Sequence, residues 1–365
     1  MLKLPQIKPG TRVVVGLSGG VDSTAAALLL QAAGAEVVGL TLRTRKCGET
    51  PTATDHTSAC DTCIAAAAVA DQLNIPHHIV DVRPDFDHYV LEASWHELNQ
   101  GRTPNPCVFC NRTIKFPELA RLADSLGGGL LATGHYVRVA PVNDTYRLFR
   151  GVHPAKDQSY FLYAIQPALL QRLIFPLGEF TKDQVRQYAT AHRLTAALLT
   201  ESQDTCFAAN EGAETFGEIV RNFIGATPQS GEFRHSDGRH LGPHQGLHRY
   251  TIGQRRGIGA FGPRPHCITA INPNTAEITV SDIPEELLTT SCRAADCIWH
   301  GSPPQVGTNC LIQVRYRQQP VEATVTACCG TTCYVTFAKP LRAVTPGQSL
   351  VLYQGDMVIG GGLIS

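Results

Sequence analysis

Ser18-Gly19-Gly20-Val21-Asp22-Ser23 gathers two glycines, two hydroxyls and a carboxylate into six residues. Glycines let a backbone approach a phosphate closely, and a helix starting there presents free N–H groups and the positive end of its dipole. Ser18 and Ser23 add hydroxyl donors, and Asp22 is placed to orient magnesium or the phosphates. No Lys-Ser/Thr pair follows, so the loop is not of the Walker A type. The competing reading is a tight strand-to-helix turn without a ligand.

Cysteines form the second chemical feature. There are 13, an odd number, which argues against a disulfide framework in a reducing compartment. Cys107 and Cys110 make a C-x-x-C after a Pro-rich loop, and Cys206 follows Glu201-Ser-Gln-Asp-Thr. A C-x-x-C can be a redox pair, half of a zinc site or part of an iron–sulfur site. Cys60 and Cys63 offer a second pair for a four-thiolate zinc site. With Cys47 they form a separate loop group, read either as metal or redox ligands or as variable loop cysteines. Cys267, Cys292, Cys297, Cys310, Cys328, Cys329 and Cys333 read as small hydrophobes.

The elements that position these residues alternate strand and helix over the first 135 positions. Residues 13–17 are a continuous apolar run, as in a strand covered on both faces. A helix is expected at 21–33, a strand at 37–42, helices at 64–73 and 115–126, and strands at 78–82 and 130–133. That order implies a parallel sheet with helices on both faces, and ligands in such sheets bind beyond the carboxyl ends of the strands. One more helix, at 181–191 with Thr181 as N-cap, continues the pattern. Residues 225–280 are rich in Gly, Pro and His. Short strands at 311–316, 323–327, 333–337 and 349–353 suggest a small antiparallel barrel. The expected division is 1–212 for the phosphate-loop catalytic domain, 213–285 for a central, mostly β domain and 286–365 for the barrel.

Composition narrows the partners. Hydrophobic residues make up 43% and charged residues 17% of 365 positions, which suits a globular chain and excludes a disordered one. Thirty-one Lys and Arg balance 31 Asp and Glu, so a globally basic nucleic-acid binder is excluded while local basic patches remain. Neither a secretory leader nor a membrane-length apolar run is evident, so the expectation is a cytoplasmic protein without membrane contact.

The loop resembles the SGGxDS pyrophosphate-loop motif of ATP pyrophosphatases, which cleave ATP between the α and β phosphates and adenylate a substrate. Alone it leaves open amidation, citrulline adenylation, lysidine formation and tRNA thiolation. The whole chain, from Gly16 to Ile364, resembles the tRNA-specific 2-thiouridylases. The matching segments are Gly16-Leu-Ser-Gly-Gly-Val-Asp-Ser23, Gly101-Arg-Thr-Pro-Asn-Pro106, Cys110-Asn111, Ile114-Lys-Phe116, Ala132-Thr-Gly-His-Tyr136, Lys156-Asp-Gln-Ser-Tyr-Phe-Leu162 and Phe175-Pro-Leu-Gly178. Glu201-Ser202, Cys206-Phe207, Tyr250-Thr-Ile-Gly-Gln-Arg255, Arg315-Tyr-Arg-Gln318 and Gly360-Gly-Gly362 complete the set.

This resemblance implies ATP with Mg²⁺ over Gly16, Leu17, Ser18, Gly19, Gly20, Val21, Asp22 and Ser23, framed by Leu42 and Gly134. It implies adenylation of the O2 of a tRNA wobble uridine, with Cys206 as the persulfide cysteine and Cys110 as the second nucleophile. The persulfide sulfur attacks C2 and displaces AMP; attack of Cys110 on the persulfide releases sulfide and leaves a Cys110–Cys206 disulfide. Which sulfur species attacks C2 stays open. Positive charge from Arg112, Lys115 or a helix N-terminus would favour the thiolates. A cysteine desulfurase or sulfur-relay protein is the implied donor.

Asn105, Pro106 and Cys107 match the target-base loop, and His135, Lys156, Asp157, Gln158, Arg315, Tyr316 and Gln348 match tRNA-contact positions. Arg249, Arg255, Arg256 and Arg317 are further candidates for phosphate contact. Cys107 stands where the family commonly has Asp. Cys107, Cys110 and Cys206 are therefore also candidate ligands of a 4Fe–4S cluster with one open iron position.

Overall fold

The computed structural model describes residues 7–44, 61–194 and 215–365. Cys47, Cys60 and Cys206 lie outside these segments. The chain divides into two compact units. One comprises Met1–Phe86, Val108–Ala209 and Asp356–Val358, the other Asp87–Cys107, Asn210–Gly355 and Ile359–Ser365.

The first unit is built on a parallel sheet. Its strands are β1 (Arg12–Gly16), β2 (Glu36–Arg43), β3 (His77–Asp81), β4 (Leu130–Ala132) and, after the antiparallel hairpin β5 (Val137–Val142) and β6 (Thr145–Arg150), β7 (Leu173–Ile174). The spatial order is 3-2-1-4-7. Val13, Val14 and Val15 are fully buried, as the unbroken apolar run requires of a central strand. Helices Val21–Ala32, Asp61–Leu73, Phe116–Ser125 and Lys182–Ala191 accompany the sheet. Thr181 caps the last one: its hydroxyl accepts from the Gln184 N–H while the Gln184 side chain accepts from the Thr181 N–H.

Two features depart from the sequence expectation. The helix expected from 115 starts after a π turn at Asn111–Lys115, and Pro117 in its first turn costs nothing because that N–H has no helical partner. Hairpin β5–β6 was not anticipated; Asn143, at φ +51°, turns it in the left-handed region that Asn tolerates.

The second unit holds helices Ala93–Asn99 and Phe216–Ile224 and a mixed sheet of β8 (Gly231–His235), β9 (His240–His244), β10 (Cys267–Asn272) and β11 (Glu277–Ser281), ordered 10-11-8-9. β11 runs parallel to β8, and the other pairs are antiparallel. Its barrel follows: β12 (Leu288–Trp299), β13 (Asn309–Gln313), β14 (Val321–Cys329), β15 (Thr332–Arg342), β16 (Ser349–Gln354) and β17 (Met357–Ile364). The order 12-15-14-13-16-17 closes through β12 pairing with β17. Alternate residues of β15 (Cys333, Val335, Phe337) point into the barrel core, as period-two patterning dictates. The α/β, central β and antiparallel-barrel architecture is that expected from the sequence. Among the described residues, no helix is long and apolar enough to cross a membrane.

Candidate active site

β1 delivers the chain to the phosphate loop at the carboxyl edge of the parallel sheet, where β2 ends near Leu42 and β4 runs towards Gly134. The Leu17 N–H donates to the Leu40 carbonyl at 2.8 Å, holding the loop to the neighbouring strand. Ser23 Oγ accepts from the Ser18 N–H at 3.1 Å and donates to the Gly20 carbonyl at 3.1 Å, while Thr24 Oγ1 donates to the same carbonyl at 2.9 Å. These bonds fold the loop over the start of helix Val21–Ala32. Gly19 adopts φ +73°, and a Cβ there would lie 2.5 Å from the Ala65 Cβ. Gly134 packs as closely: a Cβ would stand 2.7 Å from the Ser23 nitrogen. The close approach of the neighbouring chain by itself requires glycine at both positions.

Asp22 does not reach outward alone. Its Oδ1 accepts from the Tyr136 hydroxyl at 2.7 Å, and Lys182 Nζ donates to both carboxylate oxygens at 2.7 and 2.8 Å. Lys182 is only 4% exposed. Neither Lys182 nor Tyr136 was singled out from the sequence. One signal was available: Lys182 is the first residue of a helix, where the dipole disfavours a cation, so a carboxylate partner elsewhere was implied.

Cys110 is buried at the end of helix Pro106–Cys110, and Cys107 lies three residues earlier on the same helix, half-buried. The boundary between the two units falls within this helix, after Cys107. Asn111 follows buried, its Nδ2 donating to the Phe161 carbonyl at 3.2 Å. Cys206, the expected partner of Cys110, lies outside the described residues. Cys63 is buried in helix Asp61–Leu73.

His135 bonds through Nδ1 to the Thr133 hydroxyl at 2.7 Å. Burial, aided by the Lys115 ammonium, pulls its pKa well below the ordinary histidine value, so the ring is neutral at pH 7. Gln158 Oε1 accepts from the Tyr136 N–H at 3.0 Å. Asp157 is buried and accepts from Arg150 Nε, the Gly151 N–H, the Ser159 N–H and the Ser159 hydroxyl, so its carboxylate organises the chain around it. Lys156 stands beside it, half-exposed.

In the second unit the 103–107 segment, expected from the sequence to include the target-base loop, is braced. Gln348 Nε2 donates to the Thr103 and Pro104 carbonyls at 3.0 and 3.2 Å, and the Thr103 N–H donates to the Pro346 carbonyl at 2.8 Å. Asn105 is buried beside them in sequence. Gln348 thus holds the loop, a function the sequence did not reveal. Arg315 donates to the Ile252 carbonyl at 3.2 Å and to the Thr345 hydroxyl, which ties it to the Tyr250-to-Arg255 segment. Arg317 lies over the Tyr316 ring at 5.5 Å, and Arg255 and Arg256 are exposed. Arg249 is paired with Glu218 at 2.6 Å.

The barrel cysteines are of another kind. Burial pushes the thiols of Cys292 and Cys297 up to about 12 and that of Cys310 up to about 11. They are protonated at neutral pH and act as small hydrophobes.

Known proteins share this arrangement. The family described as the tRNA methyl transferase HUP domain matches residues 11–210, its PRC-barrel domain residues 218–282, and the aminomethyltransferase beta-barrel domain residues 289–364. The tRNA-specific 2-thiouridylase MnmA of Trichlorobacter lovleyi is 41% identical over 358 residues, covering 97% of each chain. Those of Geobacter metallireducens and Carboxydothermus hydrogenoformans are 40% and 39% identical, covering 98% and 97% of this chain and 97% of each relative. Matched from end to end at this identity, the chain belongs to the tRNA-specific 2-thiouridylase family.

Proposed function

We propose that this protein replaces the C2 oxygen of the wobble uridine of tRNA with sulfur, using ATP. The observation that carries the reading is that one compact unit holds both a glycine loop opening a helix at the sheet's carboxyl edge and the buried thiol Cys110, in a chain related throughout to 2-thiouridylases. Methyl transfer, the reaction named in the domain descriptions, has no use for a triphosphate loop or for a pair of nucleophilic cysteines. Adenylation followed by sulfur transfer uses both.

The chain's own groups divide the work. Residues 16–23 take the phosphates of ATP, with Leu42 and Gly134 beside the adenosine. Lys182 and Tyr136 hold the Asp22 carboxylate at the helix start. Asp22, so held, would orient Mg²⁺ bound with the triphosphate, and the ion would supply charge neutralisation on the phosphates. Transfer of AMP to the uridine O2 converts a poor leaving oxygen into a good one. The terminal sulfur of a Cys206 persulfide then attacks C2 and AMP departs with that oxygen. Cys110, as thiolate, attacks the Sγ of Cys206, frees the thiouridine sulfur and leaves a Cys110–Cys206 disulfide for an external reductant. Asn105, Pro106 and Cys107, braced by Gln348, form the loop that receives the base. Lys156, Gln158, Arg315, Tyr316 and His135 are the tRNA contacts, with Asp157 supporting Lys156 and Gln158.

The test is incubation with labelled ATP, unmodified tRNA and a persulfide donor, scoring AMP and 2-thiouridine together. AMP formed in step with thiouridine supports the reading; tRNA binding without AMP release overturns it. The C-x-x-C on one helical turn favours a second reading of the sulfur step, in which Cys107 and Cys110 are cluster ligands. Anaerobic iron and sulfide analysis of the parent and of Cys107→Asp separates the two: an iron-free, active Cys107→Asp protein supports the persulfide route.

A further inference from the structure

We propose that His235, His266 and Asp282 form a site for a divalent transition metal of the zinc class at one end of the central sheet, with Asp237 orienting His235. It is independent of the thiolation chemistry and lies within the second unit.

The register assembles it. β8 pairs in parallel with β11, setting His235 beside Val280, and β10 pairs antiparallel with β11, setting Cys267 opposite Ser281. Extending each pairing by one step brings His266, just before β10, beside Asp282, just after β11. Alternation along the strands then puts His235, Val280, Asp282 and His266 on one face. Ligand atoms of the three side chains lie within 4.8 Å of one another.

The hydrogen bonding of His266 leaves one ring nitrogen for a cation. His266 Nδ1 lies 2.9 Å from the Arg264 carbonyl, which only accepts, so Nδ1 carries the proton and Nε2 keeps its lone pair. His235 Nδ1 lies 3.0 Å from Asp237 Oδ1 and also accepts from the Asp237 backbone N–H at 3.2 Å; metal binding at Nε2 takes the tautomer in which Nδ1 turns its proton to that carboxylate. His235 is only 7% exposed, and its Nε2 is buried without a hydrogen-bond partner, facing Asp282 Oδ1 at 3.4 Å. A buried nitrogen aimed at a carboxylate with no bond between them is costly unless something sits there.

Zinc fits that gap. Bonds of about 2.0–2.1 Å in a tetrahedral site put neighbouring ligand atoms roughly 3.3 Å apart, which the His235–Asp282 pair already matches. His266 and Asp282 are half-buried, so side-chain rotation closes the remainder. Arg264 approaches Asp282 Oδ2 at 3.7 Å from an exposed position, leaving Oδ1 for the ion. Two imidazoles and one carboxylate leave the fourth position to water. The bound ion would pin the ends of three strands together.

The test uses the full chain, stripped with chelator and titrated with Zn²⁺ alone. Because thiols elsewhere also bind zinc, the coordination shell is read by X-ray absorption, where nitrogen and oxygen at about 2.0–2.1 Å separate from sulfur at about 2.3 Å. The parent should bind one zinc in an all-nitrogen-and-oxygen shell. His266→Gln and Asp282→Asn, each at a half-buried position, should weaken that component at least tenfold and abolish the accompanying rise in Tm. A parent whose zinc sees only sulfur, or variants that keep the nitrogen and oxygen component, would overturn the proposal.

Discussion

Lys182→Met removes the ammonium that grips Asp22 while keeping most of the stem that packs beside Tyr136. Truncating one partner of a fully buried ion pair costs about 3–5 kcal/mol. Here Asp22 is 34% exposed and keeps the Tyr136 hydroxyl, so water and that hydrogen bond offset roughly half. We expect a loss of about 1.5–2.5 kcal/mol, equivalent to a Tm lower by roughly 3–10 °C for a unit of this size. The freed carboxylate also faces the phosphate loop without its counter-charge, so tRNA-dependent AMP formation should fall at least tenfold. Thermal melts of Lys182→Met, Asp22→Asn and the double variant form a cycle, alongside the AMP assay. Coupling below about 0.5 kcal/mol, or a Lys182→Met protein that melts and turns over like the parent, refutes the assignment of Lys182 as the anchor of Asp22.

Three other outcomes are expected. Cys110→Ser and Cys206→Ser should each abolish thiouridine formation yet retain ATP binding, measured by equilibrium dialysis; thiolation at the parental rate would remove that cysteine from the sulfur path. Gln348→Ala deletes two hydrogen bonds to the target-base loop, about 1–3 kcal/mol together, and should lower thiolation up to roughly 100-fold with tRNA affinity within threefold of the parent; a matching loss of affinity would make Gln348 an RNA contact instead. Stability should fall as pH drops below about 6.5, because the unfolded chain takes up protons that half-buried His135 and buried His248, both held neutral, bind only at lower pH. A denaturation midpoint that rises between pH 7.5 and 5.5 contradicts this sign.

The sequence made legible whatever depends on near neighbours. The strand–loop–helix unit around residues 16–23, the Thr181 cap and the alternating strands of the barrel are local patterns that the structure reproduces, although Asn309–Gln313 ends three residues before, and Thr332–Arg342 five residues after, the ends expected for those strands. Gln348 and Thr103 are separated by 245 positions, and Lys182 and Asp22 by 160, so no periodicity connects them. Asp157 illustrates the converse limit. Its place in a Lys-Asp-Gln segment led to an expected tRNA contact, but that its carboxylate is consumed by four internal donors is a property of the folded chain. Likewise His235, His266 and Asp282 have no motif spacing, and only strand register brings them together.

The barrel thiols bear on how a cysteine-rich chain can handle reactive sulfur. A thiol whose pKa is about 12 is ionised in only about one molecule in 100,000 at pH 7. Exchange with persulfides and oxidants proceeds through the thiolate, so Cys292, Cys297 and Cys310 are slow partners for any sulfur passing through the molecule. Mispairing and off-path sulfuration are thereby suppressed kinetically, without removing the cysteines. Brief alkylation of the native protein should accordingly leave these three unmodified, so that quantitative labelling at neutral pH becomes a direct census of the sulfur-competent positions.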